Sequence, residues 1–334
     1  MYPVILMHMA DGLVSVPVGV IFLAVSFVIL ALSIRKIGSS HDESKIPMMA
    51  LVGAFVFVAQ MINFTIPGTG SSGHIGGGIL LCLILGEYPA FLSIACVLII
   101  QCLFFGDGGL LALGCNLFNM GVIPCFLAYP LIVKPILQRK LDSKSIALAS
   151  ILGAMIGLEI GAFGVVLETM ASGITELPFT TFVSLMLPIH LAIGLVEGII
   201  TAAVTLYVYK ESPDLIDHSL TLKKTPPISK KLLGVFIALI ILVGGGLSLY
   251  ASSNPDGLEW SIEKVTGSTE IEYSDSIKEG FAAVQEKLAF LPDYSFSFSD
   301  SSLGTSTSGI VGGAICIFLV GGIGYLATKK GKHE

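Results

Sequence analysis

Met7-His8-Met9-Ala10-Asp11-Gly12 places a histidine one residue after a methionine, just ahead of a long apolar run. A chain starting at Met7 would offer a free α-amine, the next backbone nitrogen and the His8 imidazole to one divalent ion. Such nitrogen donors in a plane suit nickel(II) or copper(II), and imidazole also suits cobalt. The residues Met1 to Leu6 stand in front of that amine, so the expectation is a misassigned start or a removed leader. A second imidazole, His74, follows Pro67-Gly68-Thr69-Gly70-Ser71-Ser72-Gly73, a loop able to bring backbone close to another element. The plain alternative is that each histidine is a solvated polar residue.

These residues need a scaffold, and composition says which kind. The chain is 54% hydrophobic and 13% charged, about half the charged share of a soluble domain. Long apolar runs recur throughout, which implies an all-α integral membrane protein. No basic stretch precedes the first run, so an ordinary signal peptide is not expected. The net charge of −6 gives no reason to expect a nucleic-acid partner. The cysteines Cys82, Cys96, Cys102, Cys115, Cys125 and Cys316 form no CxxC pair and lie mostly in apolar runs. They read as small residues of membrane helices.

About nine apolar segments are expected to cross or nearly cross the bilayer, at 13–35, 46–64, 74–86, 89–105, 109–137, 145–172, 181–209, 231–252 and 309–328. The third is short, parted from the fourth by Gly86-Glu87-Tyr88-Pro89. Basic residues test the count. Arg35, Lys36 and Lys45 flank the first loop; Lys134, Arg139, Lys140 and Lys144 follow segment five; Lys210, Lys223, Lys224, Lys230 and Lys231 precede segment eight; Lys329, Lys330 and Lys332 close the chain. Nine crossings with the N-terminus outside and the C-terminus cytoplasmic put all these clusters in the cytoplasm. His8 and His74 then share the outer face. The expected divisions are a seven-helix metal-capture domain over 7–210, a cytoplasmic linker over 211–230, and a two-helix appendage over 231–330. Its extracytoplasmic loop, 253–308, is rich in Asp and Glu. That loop reads as a solvated linker or as a small docking domain over the metal mouth.

Polar groups inside apolar runs are costly and mark function or helix contacts. They are Asn63, Asp107, Asn116, Asn119, Glu159, Glu168, His190 and Glu197. His190 and Glu197 lie two helical turns apart and share a face. HExxH, GxSxG and Walker A signatures are absent from the sequence, and no Rossmann glycine pattern stands in a strand–helix context. Covalent catalysis is therefore not expected, and ATP hydrolysis would fall to separate subunits.

Several motifs coincide in order. MHMADGLVS, SSGHIGGGIL, GDGGLLALGCNLFNMG and HLAIGLVEGIITA resemble the CbiM/NikM substrate-capture subunits of cobalt and nickel energy-coupling-factor transporters. NPDGLEWSIEKVTG and LPDYSF, between two apolar segments, resemble the companion subunit CbiN/NikN, here in the same chain. The resemblance implies metal ligation by Met7, His8 and His74. It implies capture of Co2+ or Ni2+ at the plasma membrane, possible supply of cobalamin synthesis or nickel enzymes, and no permanent cofactor. It also implies a transmembrane coupling (T) subunit and ATPase (A) subunits as partners, within a lipid environment. Two other functions fit the bare residues: an intramembrane metalloenzyme, and an organic-vitamin transporter subunit in which the histidines are incidental.

Overall fold

The computed structural model describes residues 8–40, 42–221, 225–269, 271, 275–296 and 303–331; Met7 lies outside the described residues. The chain is almost wholly helical: α1 (Val16–Ser39), α2 (Lys45–Gln60), α3 (Gly78–Leu85), α4 (Glu87–Phe105), α5 (Leu113–Arg139), α6 (Ser143–Ser172), α7 (Phe179–Glu211), α8 (Pro213–Thr221), α9 (Lys230–Gly245), α10 (Gly257–Thr266), α11 (Ser276–Leu288) and α12 (Leu303–Gly331). One antiparallel hairpin, β1 (Phe64–Ile66) with β2 (Ser71–Gly73), pairs Phe64 with Gly73 and Ile66 with Ser71.

Seven of these helices are long and apolar enough to cross a membrane: α1, α4, α5, α6, α7, the Lys230–Tyr250 stretch and α12. This is a multi-pass membrane protein. α2 is shorter, and α3 has 8 residues, about 12 Å of rise, well short of the bilayer core. The third expected segment is thus a half-helix. It does not begin at His74, which sits in the stretch between β2 and α3. Gly86 (φ 82°) turns the chain sharply from α3 into α4, a backbone that glycine adopts without strain. In α5, Phe118–Val133 runs in wide π turns around Pro124 and Pro130. Those prolines have no N–H to give to an α-helical ladder.

α4 lies at the centre, with 78% of its apolar window buried, against 22% for α1 at the rim. α6 and α7 form a long antiparallel pair. A Cβ at Gly194 would sit 2.9 Å from Met155 Cα, and one at Gly198 2.7 Å from Ile151 Cα. Small residues there let the backbones touch, which is how helices associate in lipid. α9 and α12 pack on α2, and α12 also meets α1 and α4. Residues 253–296 are not an unstructured linker where described. α10 lies against α7 and β2, and α11 against α4. The six cysteines are buried and unpaired with one another as disulfides.

Candidate metal centre

The segment that carries His8 is tied down by hydrogen bonds to the start of α5 and the loop before it. Met9 N–H donates to Asn116 Oδ1 at 3.0 Å, and Asn116 Nδ2 returns a bond to Met9 O at 3.1 Å. Gly109 N–H donates to the same Met9 carbonyl at 3.0 Å. Asp11 Oδ1 accepts from Ala112 N–H at 2.9 Å. A Cβ at Gly109 would fall 1.9 Å from Asp11 Oδ1, so the GDGG motif is what lets the two strands of chain lie together.

His8 is 4% exposed. Its Nδ1 lies 2.9 Å from Asp107 Oδ1, and Asp107 Oδ2 accepts from the Tyr294 hydroxyl at 2.6 Å. Burial pushes the Asp107 carboxyl up. Charge and hydrogen bonding from His8, the bond from Tyr294 and the more distant His74 outweigh it and hold it below the usual carboxylate range. An ionised carboxylate on Nδ1 fixes the ring and raises the basicity of the other nitrogen. That nitrogen, Nε2, is buried and has no hydrogen-bond partner among the described residues.

His74 arrives from the hairpin, its ring centroid 5.4 Å from that of His8. His74 Nδ1 lies 3.1 Å from Ile75 O. A carbonyl only accepts, so this contact places a proton on Nδ1. Two residues on, Gly76 and Gly77 N–H donate to Glu197 Oε2 and Oε1 at 3.0 and 2.9 Å, and Gln60 Nε2 donates to Gly76 O at 2.9 Å. The glycines before α3 are thus pinned by α7 and α2.

The two imidazoles share a cavity of about 80 Å3 with Asn116, Asn119, His190 and Asp256. His190 Nδ1 lies 2.7 Å from Met186 O, one turn back on its own helix. Among the described residues no three His, Cys, Asp or Glu side chains converge as a metal cluster. Side chains here bring together a pair of imidazoles. A chelate through the His8 backbone nitrogen and its own ring closes only through Nδ1. That is the atom now facing Asp107, and a half-turn of the ring about Cβ–Cγ would release it.

Of the expected ligands, His8 and His74 lie side by side, although 66 positions separate them. Sequence reasoning noted Asp107, Asn116 and Glu197 as polar groups in apolar surroundings without assigning their partners. It passed over Asp256 and Tyr294 as part of an acidic loop. Several lysines gather at the opposite end of the bundle. A cavity there is lined by Lys36, Lys45 and Lys134 beside Glu87 and His218.

The family model for the cobalt uptake substrate-specific transmembrane region, CbiM, matches residues 8–215, and a PDGLE domain matches residues 230–329. A protein of Archaeoglobus fulgidus provisionally named a fused nickel transport protein, NikMN, is 31% identical over 313 residues, covering 94% of this chain and 96% of that one. The fused nickel transport protein NikMN of Rhodobacter capsulatus is 29% identical over 354 residues, covering 97% and 98%. The crystal structure of a transition metal transporter superposes with a TM-score of 0.55 at 31% identity, covering 65% of this chain and all of that one. The chain belongs to the CbiM family of cobalt-uptake membrane proteins, with a PDGLE domain following in the same polypeptide.

Proposed function

We propose that this chain is the substrate-specific membrane subunit that captures Co2+ or Ni2+ and passes it inward when coupled to an ATP-driven module. The observation that carries the reading is the His8–His74 pair: two imidazoles with ring centroids 5.4 Å apart on one buried cavity. His8 Nδ1 lies 2.9 Å from Asp107 Oδ1, and His74 Nδ1 lies 3.1 Å from Ile75 O. Imidazole nitrogen is a good ligand for both ions. The names of the relatives, which transport nickel or carry a cobalt-uptake region, point the same way.

Cavity size separates this reading from an organic-vitamin carrier. About 80 Å3 holds an ion and a few waters, whereas small-molecule pockets run to about 300–1,000 Å3. A metalloenzyme would need a general base beside an open coordination position. Two of the nearby carboxylates are engaged elsewhere: Asp107 with His8 and Tyr294, and Glu197 with Gly76 and Gly77.

The domain division follows: a metal-capture unit over 7–210, a linker over 211–230 and a C-terminal unit over 231–330. The gathering of lysines at the end opposite His8 supports a cytoplasmic placement of that end, with the N-terminus outside. Nine crossings remain our count, with α3 as the short one. Transmembrane coupling and ATPase subunits complete the transporter, and the ion would serve cobalamin synthesis or nickel enzymes.

His74→Ala tests the site. Cells carrying the variant should accumulate neither nickel nor cobalt above background while membrane levels of the protein stay normal. Accumulation at the unmutated level would end this assignment.

A further inference from the structure

We propose that Asp256, brought in by the C-terminal unit, is an ion-facing carboxylate of the same site and supplies the negative charge that neutral imidazoles lack. The proposal rests on the reading that His8 and His74 hold the ion.

The stretch Asn254-Pro255-Asp256-Gly257-Leu258-Glu259 is held in register with the hairpin that delivers His74. Ser72 N–H donates to Pro255 O at 2.7 Å, and Ser72 Oγ to Asn254 O at 2.7 Å. Trp260 Nε1 donates to Thr69 O at 3.1 Å. Ser72 is two residues before His74 and Pro255 one before Asp256, so a single backbone junction sets both side chains. Asp256 is 5% exposed and lines the cavity with His8, His74 and His190. Gly257 lets it come this close. A Cβ there would lie 2.9 Å from His190 Cε1 and 3.0 Å from Ile193 Cδ1.

Asp256 also caps α10. Its Oδ1 accepts from Glu259 N–H at 2.8 Å, and Glu259 Oε2 accepts from Asp256 N–H at 3.3 Å. This capping box fixes the carboxylate's rotamer. The cap alone does not account for placing a helix start against a cavity walled by imidazoles. A bare helix N-terminus carries partial positive charge and would repel a divalent cation. A carboxylate on that terminus reverses the local sign. Bringing a dication into a buried place among neutral donors is costly without a counter-charge. Asp107 already gives one oxygen to His8 and the other to Tyr294. Asp256, unlike Asp107, lies on the cavity wall itself. On this account the PDGLE segment is a component of the metal site.

The test uses the full purified chain, titrated with nickel alone and with cobalt alone in a calorimeter, alongside melting of the metal-free protein. Asn and Ser cap helices about as well as Asp, so Asp256→Asn and Asp256→Ser remove the charge and keep the cap. Both should bind either ion at least about tenfold more weakly, with the metal-free melting temperature unchanged. Wild-type affinity in either variant overturns the proposal. So does an affinity loss matched by earlier melting of the metal-free protein, which would mark a structural cap only. His74→Ala run in parallel separates the two readings. If it still binds metal, the histidine site itself is wrong. If it loses binding while Asp256→Asn keeps it, only the Asp256 proposal falls.

Discussion

Glu197, in the middle of α7, accepts the Gly76 N–H at 3.0 Å with one oxygen and the neighbouring Gly77 N–H at 2.9 Å with the other. A carboxylate 3% exposed inside a transmembrane helix is therefore spent on backbone that lies two residues past His74. We read Glu197 as a positioning residue for that imidazole.

Glu197→Ala should leave both N–H groups buried without an acceptor, at about 1–3 kcal/mol each. We expect nickel affinity to fall about 10–100-fold, the range seen when support behind a metal ligand is lost. Calorimetry on the purified variant measures it. Unchanged affinity would show that the Gly76–Gly77 backbone holds His74 without help from α7.

The N-terminal prediction follows from which ring atom can chelate. Amine, backbone nitrogen and ring of a Met7-His8 terminus close on one ion only through His8 Nδ1, which here faces Asp107. We expect the mature protein to begin at Met7 and to bind nickel far more tightly than a chain made to keep Met1 to Leu6. Intact-mass measurement of the native protein checks the first half, and titration of the two forms checks the second. Equal affinity in both would mean that the ion is held through Nε2 of His8 without the amine.

At the opposite end, Asp42 Oδ2 accepts from Thr225 N–H at 2.9 Å and from Thr225 Oγ1 at 2.7 Å, anchoring the chain before α9. Burial pushes the Asp42 carboxyl up, but bonds from Ser44 and Thr225 and the charge of Lys45 outweigh it, and the net direction is below 3.8. A carboxylate held low in the folded state adds stability that is present above the unfolded value and lost as pH falls through the folded one. The stability difference between wild type and Asp42→Asn should thus be flat from about pH 5 to 8 and shrink below 3.8. Thermal melts of both proteins across that range decide it. A difference that instead changes between pH 6 and 8 would assign the effect to another group.

Hydropathy and the run of lysines made most of the helices readable from sequence, because burial in lipid acts on every residue of a span. Local pattern could not show that the run at 74–86 is helical only in part. Gly76, Gly77 and Gly86 break it, and only Gly78–Leu85 coils. The histidines were visible as types, and the family motif supplied their pairing. Their supports were not visible. Met9 meets Asn116, 107 positions away, and Ser72 meets Asn254, 182 away. No periodicity records such contacts. The acidic composition of 253–308 hid two residues that point inward, Asp256 and Tyr294, because exposed acids such as Glu279 dominate the count.

α4 is sheltered from lipid, whereas α7 is not: Leu191, Leu195 and Ile199 stand 47, 44 and 53% exposed along its outer face. The inner face of that same helix presents His190 to the metal cavity and Glu197 to the backbone beyond His74. A bilayer that thins or thickens tilts the helices it touches. A change in membrane thickness should therefore reach His190 and Glu197 through α7 more directly than it reaches the sheltered α4.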